Sequence, residues 1–437
     1  MCYAIPGKVV DINDDIAVID YFGEKKEAYS DMEDVRVGDY VFAQGGLIVQ
    51  IIPEEDAVCI LDGWRETFFR LRERDRRLSE EGLQSGKTGT DIANILKKAE
   101  EGTTLSRDEL IAILKCSDRE NLELICKTAN LIRHRKHRNS CCVHGIIEFS
   151  NICKNDCTYC GLRKENTDVK RYRMGVDEIV EAACKAVDKL GFKALVLQSG
   201  EDSYYTTERL VDIIRRIRKR HGVLIILSIG ERDIESYKVL YDAGARGVLM
   251  RFETSNSNLY AEFHSTIHYE KRVQLLKNLR DIGYIIATGS IVGLPGQREE
   301  DLLNDIMLAS LLDTEMYSFG PLVPHPETPL GDTPQVDIDT ILKVIAVARI
   351  LNPNGSILVT SAVERLFGKE GIKKGLMAGG NSMMINLTPQ EYRKHYSIYP
   401  GKGSETDDVK REIRDTLELL YSVGRAPTDI GIGGPHG

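Results

Sequence analysis

A chain of 437 residues is long for one average domain, and roughly two or three are expected. Its hydrophobic share of 42% and charged share of 29% are ordinary for a soluble globular protein, and a net charge of −9 argues against a nucleic-acid partner. No run of about twenty apolar residues offers a membrane span, and MCYAIPGKVV lacks the basic-then-apolar order of a secretory signal, so a cytoplasmic location is expected.

Residues 1–57 read as short strands. KVVDI, IAVIDYF, EAYS and DYVFAQGGLIVQII alternate or run apolar, with turns at Asn13-Asp14-Asp15 and Val37-Gly38-Asp39, which suits a small β-barrel. Residues 58–138 turn helical and form a connector. Ser106 and Glu109 make a capping box before LIAILK, and QSGKTGTD (84–91) is the expected flexible joint. Over 139–437, β-branched runs alternate with amphipathic helices such as DEIVEAACKAVDKLG and ERLVDIIRRIRKR. The strand candidates are VHGIIEFS, ALVLQSG, VLIILSIG, GVLMRFET, IIATGSIVG, EMYSFGPLVP, SILVTSAV and GLMAGGNSMMIN. About eight such units predict an α/β chain with a parallel (β/α)8 TIM barrel, whose chemistry sits at the C-terminal strand ends. Those ends are Ser150-Asn151, Gln198 to Glu201, Arg251 to Thr254, Gly289, Thr360-Ser361 and Asn381.

Ten cysteines are spread too thinly for a disulfide scaffold, and Cys59, Cys116, Cys126 and Cys184 suit buried small apolar positions. Cys153, Cys157 and Cys160 are different. They fall in one short loop directly after the first barrel strand, where three thiolates can hold three irons of a [4Fe–4S] cube. The fourth iron is then open to a ligand chelating through an amine and a carboxylate. A zinc site drawing on His134, His137, Cys141, Cys142 or His144 is the competing reading, although zinc normally takes four protein ligands. Arg251 and Glu253 stand two apart on a strand, so both can face the lumen, either as a structural ion pair or as site residues. Met383 on its own suits the core, and Gly379-Gly380-Asn381 suits a tight turn or a close backbone approach to a ligand.

The spacing C-x3-C-x2-C, with Tyr159 before the last cysteine, resembles the signature of the radical S-adenosylmethionine superfamily. The resemblance implies that the cluster reduces S-adenosylmethionine to methionine and a 5′-deoxyadenosyl radical. GIIEFSNICKNDCTYCGLRKENTDVKRYRM, VLQSGED, LMRFETSN, IVGLPGQ, GPLVPHPETPL and LTPQEYRKHYSIYPGK together resemble the [FeFe]-hydrogenase H-cluster maturase family HydE. That likeness implies that the backbone of Tyr159 meets the adenine and that Gln198 and Ser199 line the cofactor pocket. It implies too that Glu253 takes the S-adenosylmethionine amine and Arg272 its carboxylate. Arg251, Thr360, Ser361 and Met383 are implied to line the substrate cavity, for an iron carbonyl cyanide cysteinate or a related organometallic or amino-acid-derived compound. Implied partners are other hydrogenase maturation proteins and a reductant such as ferredoxin or flavodoxin. Many members carry an accessory cluster near the C-terminus; with no cysteine after Cys184, none is expected here.

MCYAIPGKVV followed by VGDYVFAQGGLIVQII resembles the hydrogenase maturation chaperones HypC/HupF, which carry an iron carbonyl cyanide unit. Cys2 is then a candidate iron ligand, but Gln44 stands where the family's histidine is expected, and an amide is a poor substitute. The fusion suggests hand-over between a carrier and a radical enzyme. Two other readings stay open: the same barrel acting on an amino acid, as in methylornithine synthase or biotin synthase, and a non-catalytic iron carrier or scaffold for hydrogenase assembly.

Overall fold

A computed structural model describes residues 3–30, 32, 34–80, 91–264, 266, 268–402 and 408–428. Cys2 and positions 84–90 of the expected joint lie outside the described residues.

Strands β1 (Gly7–Asn13), β2 (Ile16–Tyr21), β3 (Glu24–Tyr29), β4 (Tyr40–Gln44) and β5 (Leu47–Ile52) close into a small barrel in the order β1-β2-β3-β5-β4. The apolar run through β4 and β5 has two buried faces to fill. Val41, Ala43 and Ile48 point into the small barrel's own core beside Tyr3, Ile19 and Tyr21, while Phe42 and Val49 point outward. Helix Glu54–Glu80 packs Trp64, Phe68 and Leu71 onto that core. The connector helices follow at Asp91–Glu100, Arg107–Leu114 and Arg119–His137. The expected capping box is present, with Glu109 N donating to Ser106 Oγ and Ser106 N to the Glu109 carboxylate.

The large barrel is built from β6 (Ser140–Ser150), β7 (Ala194–Ser199), β8 (Leu224–Ser228), β9 (Gly247–Leu249) and β10 (Ile285–Thr288). The chain then forms β11 (Ile291–Val292), β12 (Met316–Tyr317), β13 (Gly320–Pro321), β14 (Ser356–Ile357), β15 (Ser382–Asn386) and β16 (Ala426–Pro427). Eight strands run parallel in the order β14-β12-β10-β9-β8-β7-β6-β15, and a bridge between Leu358 and Ser382 joins the ends. β11 pairs with β13, and β16 adds to the start of β6. Among the described residues no helix is long and apolar enough to cross a membrane.

Three strand readings need correction. SILVTSAV is strand only at Ser356–Ile357, because Thr360 caps helix Ser361–Met377. The first residues of GLMAGGNSMMIN finish that same helix, so β15 begins only at Ser382. Asn381 therefore precedes its strand, at the end opposite the cysteine loop. Its Oδ1 accepts from the buried Arg349 at 2.8 Å and from Ile357 N at 2.8 Å, and Gly379 turns with φ +108°; the segment is a structural turn. The strand end that reaches the cavity is Asn386.

The small barrel sits under the N-terminal end of the large one. Phe42, Val49 and Ile52 pack on Ala194, Val196, Leu224 and Ile226, with Ile146, Leu249 and Met384 just above. Two glycines permit this approach. A Cβ on Gly222 would lie 2.1 Å from Val49 O, and one on Gly45 would lie 3.0 Å from a Leu224 methyl. Gln44 is buried in this region and donates to Thr428 O. Buried Asp75 of the first helix accepts from Arg133 at 2.8 and 2.9 Å, from Arg425 and from His134, tying the connector and β16 together.

Candidate functional site

The loop after β6 is shaped by its own polar side chains. Asn151 Nδ2 donates to Lys170 O at 2.9 Å and to His395 O at 2.7 Å. Arg171 donates to the carbonyls of Asn151, Leu162, Arg163 and Asn166 at 2.7–3.0 Å, so one guanidinium gathers both limbs of the loop. Cys160 N turns back to Cys157 O at 3.2 Å. Cys153 stands against Gly200 at the end of β7, where a Cβ on the glycine would lie 3.0 Å from that of the cysteine. Burial pushes all three thiols up, Cys160 to about 12, and Cys157 is raised further by the other two cysteines. Three buried thiolates therefore need a metal centre to neutralise them.

The loop opens on a cavity of about 710 Å³ at the C-terminal end of the barrel. Cys157, Tyr159, Cys160, Gln198, Ser199, Arg251, Glu253, Arg272, Thr360, Ser361 and Met383 all line it. Arg251 and Glu253 do not reach it by strand alternation, because β9 stops at Leu249 and Glu253 has φ +67°, in the left-handed region. That conformation is costly for a residue with a side chain, and it turns the Glu253 carboxylate inward, 3.1 Å from an Arg251 Nη. Supporting bonds hold the turn in place. Glu253 N donates to Gly289 O at 3.1 Å, and Ile291 N donates to Glu253 O at 2.8 Å.

Asp305, which sequence reasoning missed, accepts from both Ser255 N and Ser255 Oγ at 2.6 Å. The Gln297 side chain of GLPGQ donates to Asp305 at 3.2 Å and to Ile291 O at 2.9 Å, and accepts from Gly293 N. The RFETS and IVGLPGQ segments are thus one clamp around Glu253. Burial raises the Asp305 carboxyl to about 7 against the pull of these donors.

Tyr159 is fixed by its hydroxyl, 2.7 Å from His264 Nε2. The other ring nitrogen of His264 lies 3.1 Å from Tyr260 O, a pure acceptor, so Nδ1 carries the hydrogen and Nε2 receives the Tyr159 proton. Burial lowers His264 to about 4, which keeps that neutral tautomer at neutral pH. Arg272 donates through Nε to Glu231 at 2.5 Å and through Nη1 to Arg251 O at 3.2 Å, with Glu201 3.8 Å away. Glu201 and Glu231 were also missed; the VLQSGED motif held the only signal, and only for Glu201.

On the far wall a Cβ on Gly320 would lie 3.0 Å from Thr360 Oγ1 and 3.4 Å from Arg251 Nη1, so both polar groups border one space. Thr360 Oγ1 is buried without a hydrogen-bond partner among the described residues. Ser361 Oγ bonds Tyr399 OH at 2.7 Å. Tyr396, Tyr399 and Lys402 come from the segment after β15 and cross the mouth. Gln198 Nε2 donates to Tyr396 OH at 3.0 Å, Gly161 N to Ile398 O at 2.9 Å, and Lys402 contacts the buried Glu148.

The arrangement fits a [4Fe–4S] cluster and S-adenosylmethionine. Among the described residues no three His, Cys, Asp or Glu converge as ligands of a single ion. A cube takes one thiolate per iron and does not need such convergence. The zinc alternative finds His134 on Asp75, and His137 on Pro353 O and Arg349. Glu253 Oε2 is a buried acceptor without a well-aligned donor, as an acceptor for an absent ammonium would be.

Comparison with known proteins agrees with this geometry. Residues 147–309 match the Radical SAM superfamily, residues 1–64 the HupF/HypC family and residues 318–418 the Biotin and Thiamin Synthesis associated domain. The chain is 38% identical over 340 residues to the [FeFe] hydrogenase maturase subunit HydE of Thermotoga maritima, spanning 78% of this chain and 96% of that protein. A crystal structure of methylornithine synthase (PylB) superposes with a TM-score of 0.68 at 25% identity, covering 76% of this chain and 97% of that one. The maturase HydG superposes at 0.67 and 20% identity, over 81% and 78% of the two chains, a likeness of fold. The chain is a radical S-adenosylmethionine enzyme that uses a [4Fe–4S] cluster, and it belongs to the HydE family of [FeFe] hydrogenase maturases.

Proposed function

We propose that Cys153, Cys157 and Cys160 hold the cluster, and that the enzyme acts in the cytoplasm on an iron carbonyl cyanide cysteinate or a related sulfur compound during assembly of the hydrogenase H-cluster. When bound, cluster and S-adenosylmethionine supply a 5′-deoxyadenosyl radical. Glu253 receives the ammonium of S-adenosylmethionine, and the Arg272 fork receives its carboxylate, exchanging its contact with Glu231 for the ligand. Tyr159, held by His264, presents its backbone to the adenine, and Gln198 and Ser199 close the side of the pocket. Arg251, Thr360, Ser361 and Met383 line the space beyond. A guanidinium and an unpaired hydroxyl there suit an anionic ligand. Tyr396, Tyr399 and Lys402 cover the mouth and keep water from the radical.

The observation that carries this reading is the meeting of the cysteine loop, the buried Glu253 carboxylate and the Arg251–Thr360 wall in one cavity. Anoxic protein reduced with S-adenosylmethionine should form 5′-deoxyadenosine, and Cys157→Ala should form none. Equal product from both would leave only a scaffold. Reading the same barrel as an amino-acid mutase is tested by offering lysine, which should neither bind nor alter 5′-deoxyadenosine formation. Other hydrogenase maturation proteins are proposed as partners on the family relationship. Cys2 lies outside the described residues, and the buried Gln44 is turned to Thr428 O, so the small barrel is proposed as a structural module.

A further inference from the structure

The proposed reaction consumes one electron per turnover, and the inference below rests on that reading. Of the three cysteines, Cys153 lies nearest the surface: the residue after it, Lys154, has a side chain 62% exposed, whereas Cys157 and Cys160 face the cavity. The backbone on either side of Cys153 is bonded to lysine-bearing segments. Asn151 Nδ2 reaches Lys170 O and His395 O, and Lys164 N donates to Asn155 O at 2.8 Å. Lys164, Lys170 and Lys394 are exposed and make no ion pair among the described residues. Lys170 and Lys394 lie close enough to push the His395 pKa down together with its partial burial. The nearby acids Glu165 and Asp156 are shared with Arg163.

An acidic chain thus carries a cluster of uncompensated cations on the outer side of the loop that would hold its cluster. Like charges gathered without partners are unfavourable in the free protein, and a surface of this kind steers an oppositely charged protein to one orientation. We propose that the face formed by Lys154, Lys164, Lys170 and Lys394 docks an acidic one-electron carrier protein, bringing its reduced centre to the Cys153 side of the cluster. One electron leaves the carrier and enters the cluster; no atom or proton needs to cross the interface.

The test compares the cluster-loaded wild type with the triple variant Lys164→Glu, Lys170→Glu, Lys394→Glu. Reduced flavodoxin and dithionite serve as alternative electron sources. With flavodoxin, the variant should form 5′-deoxyadenosine at least 10-fold more slowly, and the wild-type rate should fall with added salt while the variant's does not. With dithionite the two should match, as should their cluster EPR spectra. Titration calorimetry should show flavodoxin binding weakened by the same factor, a readout independent of turnover. Equal flavodoxin binding by the two proteins would overturn the docking face whatever the activity. Absence of product from the wild type with dithionite would instead overturn the radical reading.

Discussion

The two ends of the large barrel are built from opposite materials. Its N-terminal end is filled by apolar side chains from two modules, Phe42, Val49 and Ile52 below and Val196, Leu224 and Ile226 above. Its C-terminal end gathers thiols, carboxylates and guanidinium groups around a cavity of about 710 Å³. Three lumen-facing strands run from one material to the other: Ala194 and Val196 lead to Gln198, Leu224 and Ile226 to Ser228, and Leu249 to Arg251. The floor supplies stability, so the mouth can hold a left-handed Glu253, unpaired acceptors and strained turns that would be unfavourable alone. The small barrel meets the floor and not the cysteine loop. Direct hand-over of cargo through the seam, suggested by the fusion, finds packed apolar side chains in its way.

That contrast can be broken from either end. The largest effect should come from Phe42→Asp, which puts a carboxylate into the seam: a loss of about 4 kcal/mol or more, read as a lower melting temperature of the full chain. An unchanged melting temperature would mean that the barrels are not packed together. Next is Glu253→Gln, which removes the charge offered to the ammonium. S-adenosylmethionine should bind roughly 30-fold more weakly, about 2 kcal/mol, with cluster content unchanged. A binding constant equal to that of the wild type would remove Glu253 from the site.

Asp305→Asn links the mouth to pH. The folded carboxyl titrates near 7, above its unfolded value, so its contribution is full at pH below about 4 and is lost as pH rises through 7. Wild-type stability should therefore decline by about 1–3 kcal/mol between pH 5 and 8 relative to the asparagine variant, as followed by urea unfolding. Parallel pH profiles would contradict a buried, raised acid. The smallest effect expected is that of Gln44→Ala, about 1 kcal/mol from the lost bond to Thr428 O.

Much of the mouth was legible in the sequence because its residues lie in short, chemically distinct segments. The cysteines are spaced within eight residues, and Gln198, Arg251 and Glu253 end apolar runs of strand length. Other parts depended on contacts that local patterns do not encode. Asn381 was placed at the wrong end of its strand because a helix terminus rich in glycine and methionine reads like the start of a strand. Tyr396, Tyr399 and Lys402 follow the last strand, and no periodicity says that the chain returns across the mouth. Asp305 looks like any acid on a helix until the fold brings Ser255 against it. The floor was half visible: an uninterrupted apolar hairpin signals two buried faces, but not which surface covers the second.

The central claim is that three thiolates leave one iron of a cubane available to S-adenosylmethionine. Anoxically reconstituted, reduced protein should give a cubane EPR signal whose g-values shift when S-adenosylmethionine is added. No cubane signal, or one that stays the same after the addition, would contradict the account.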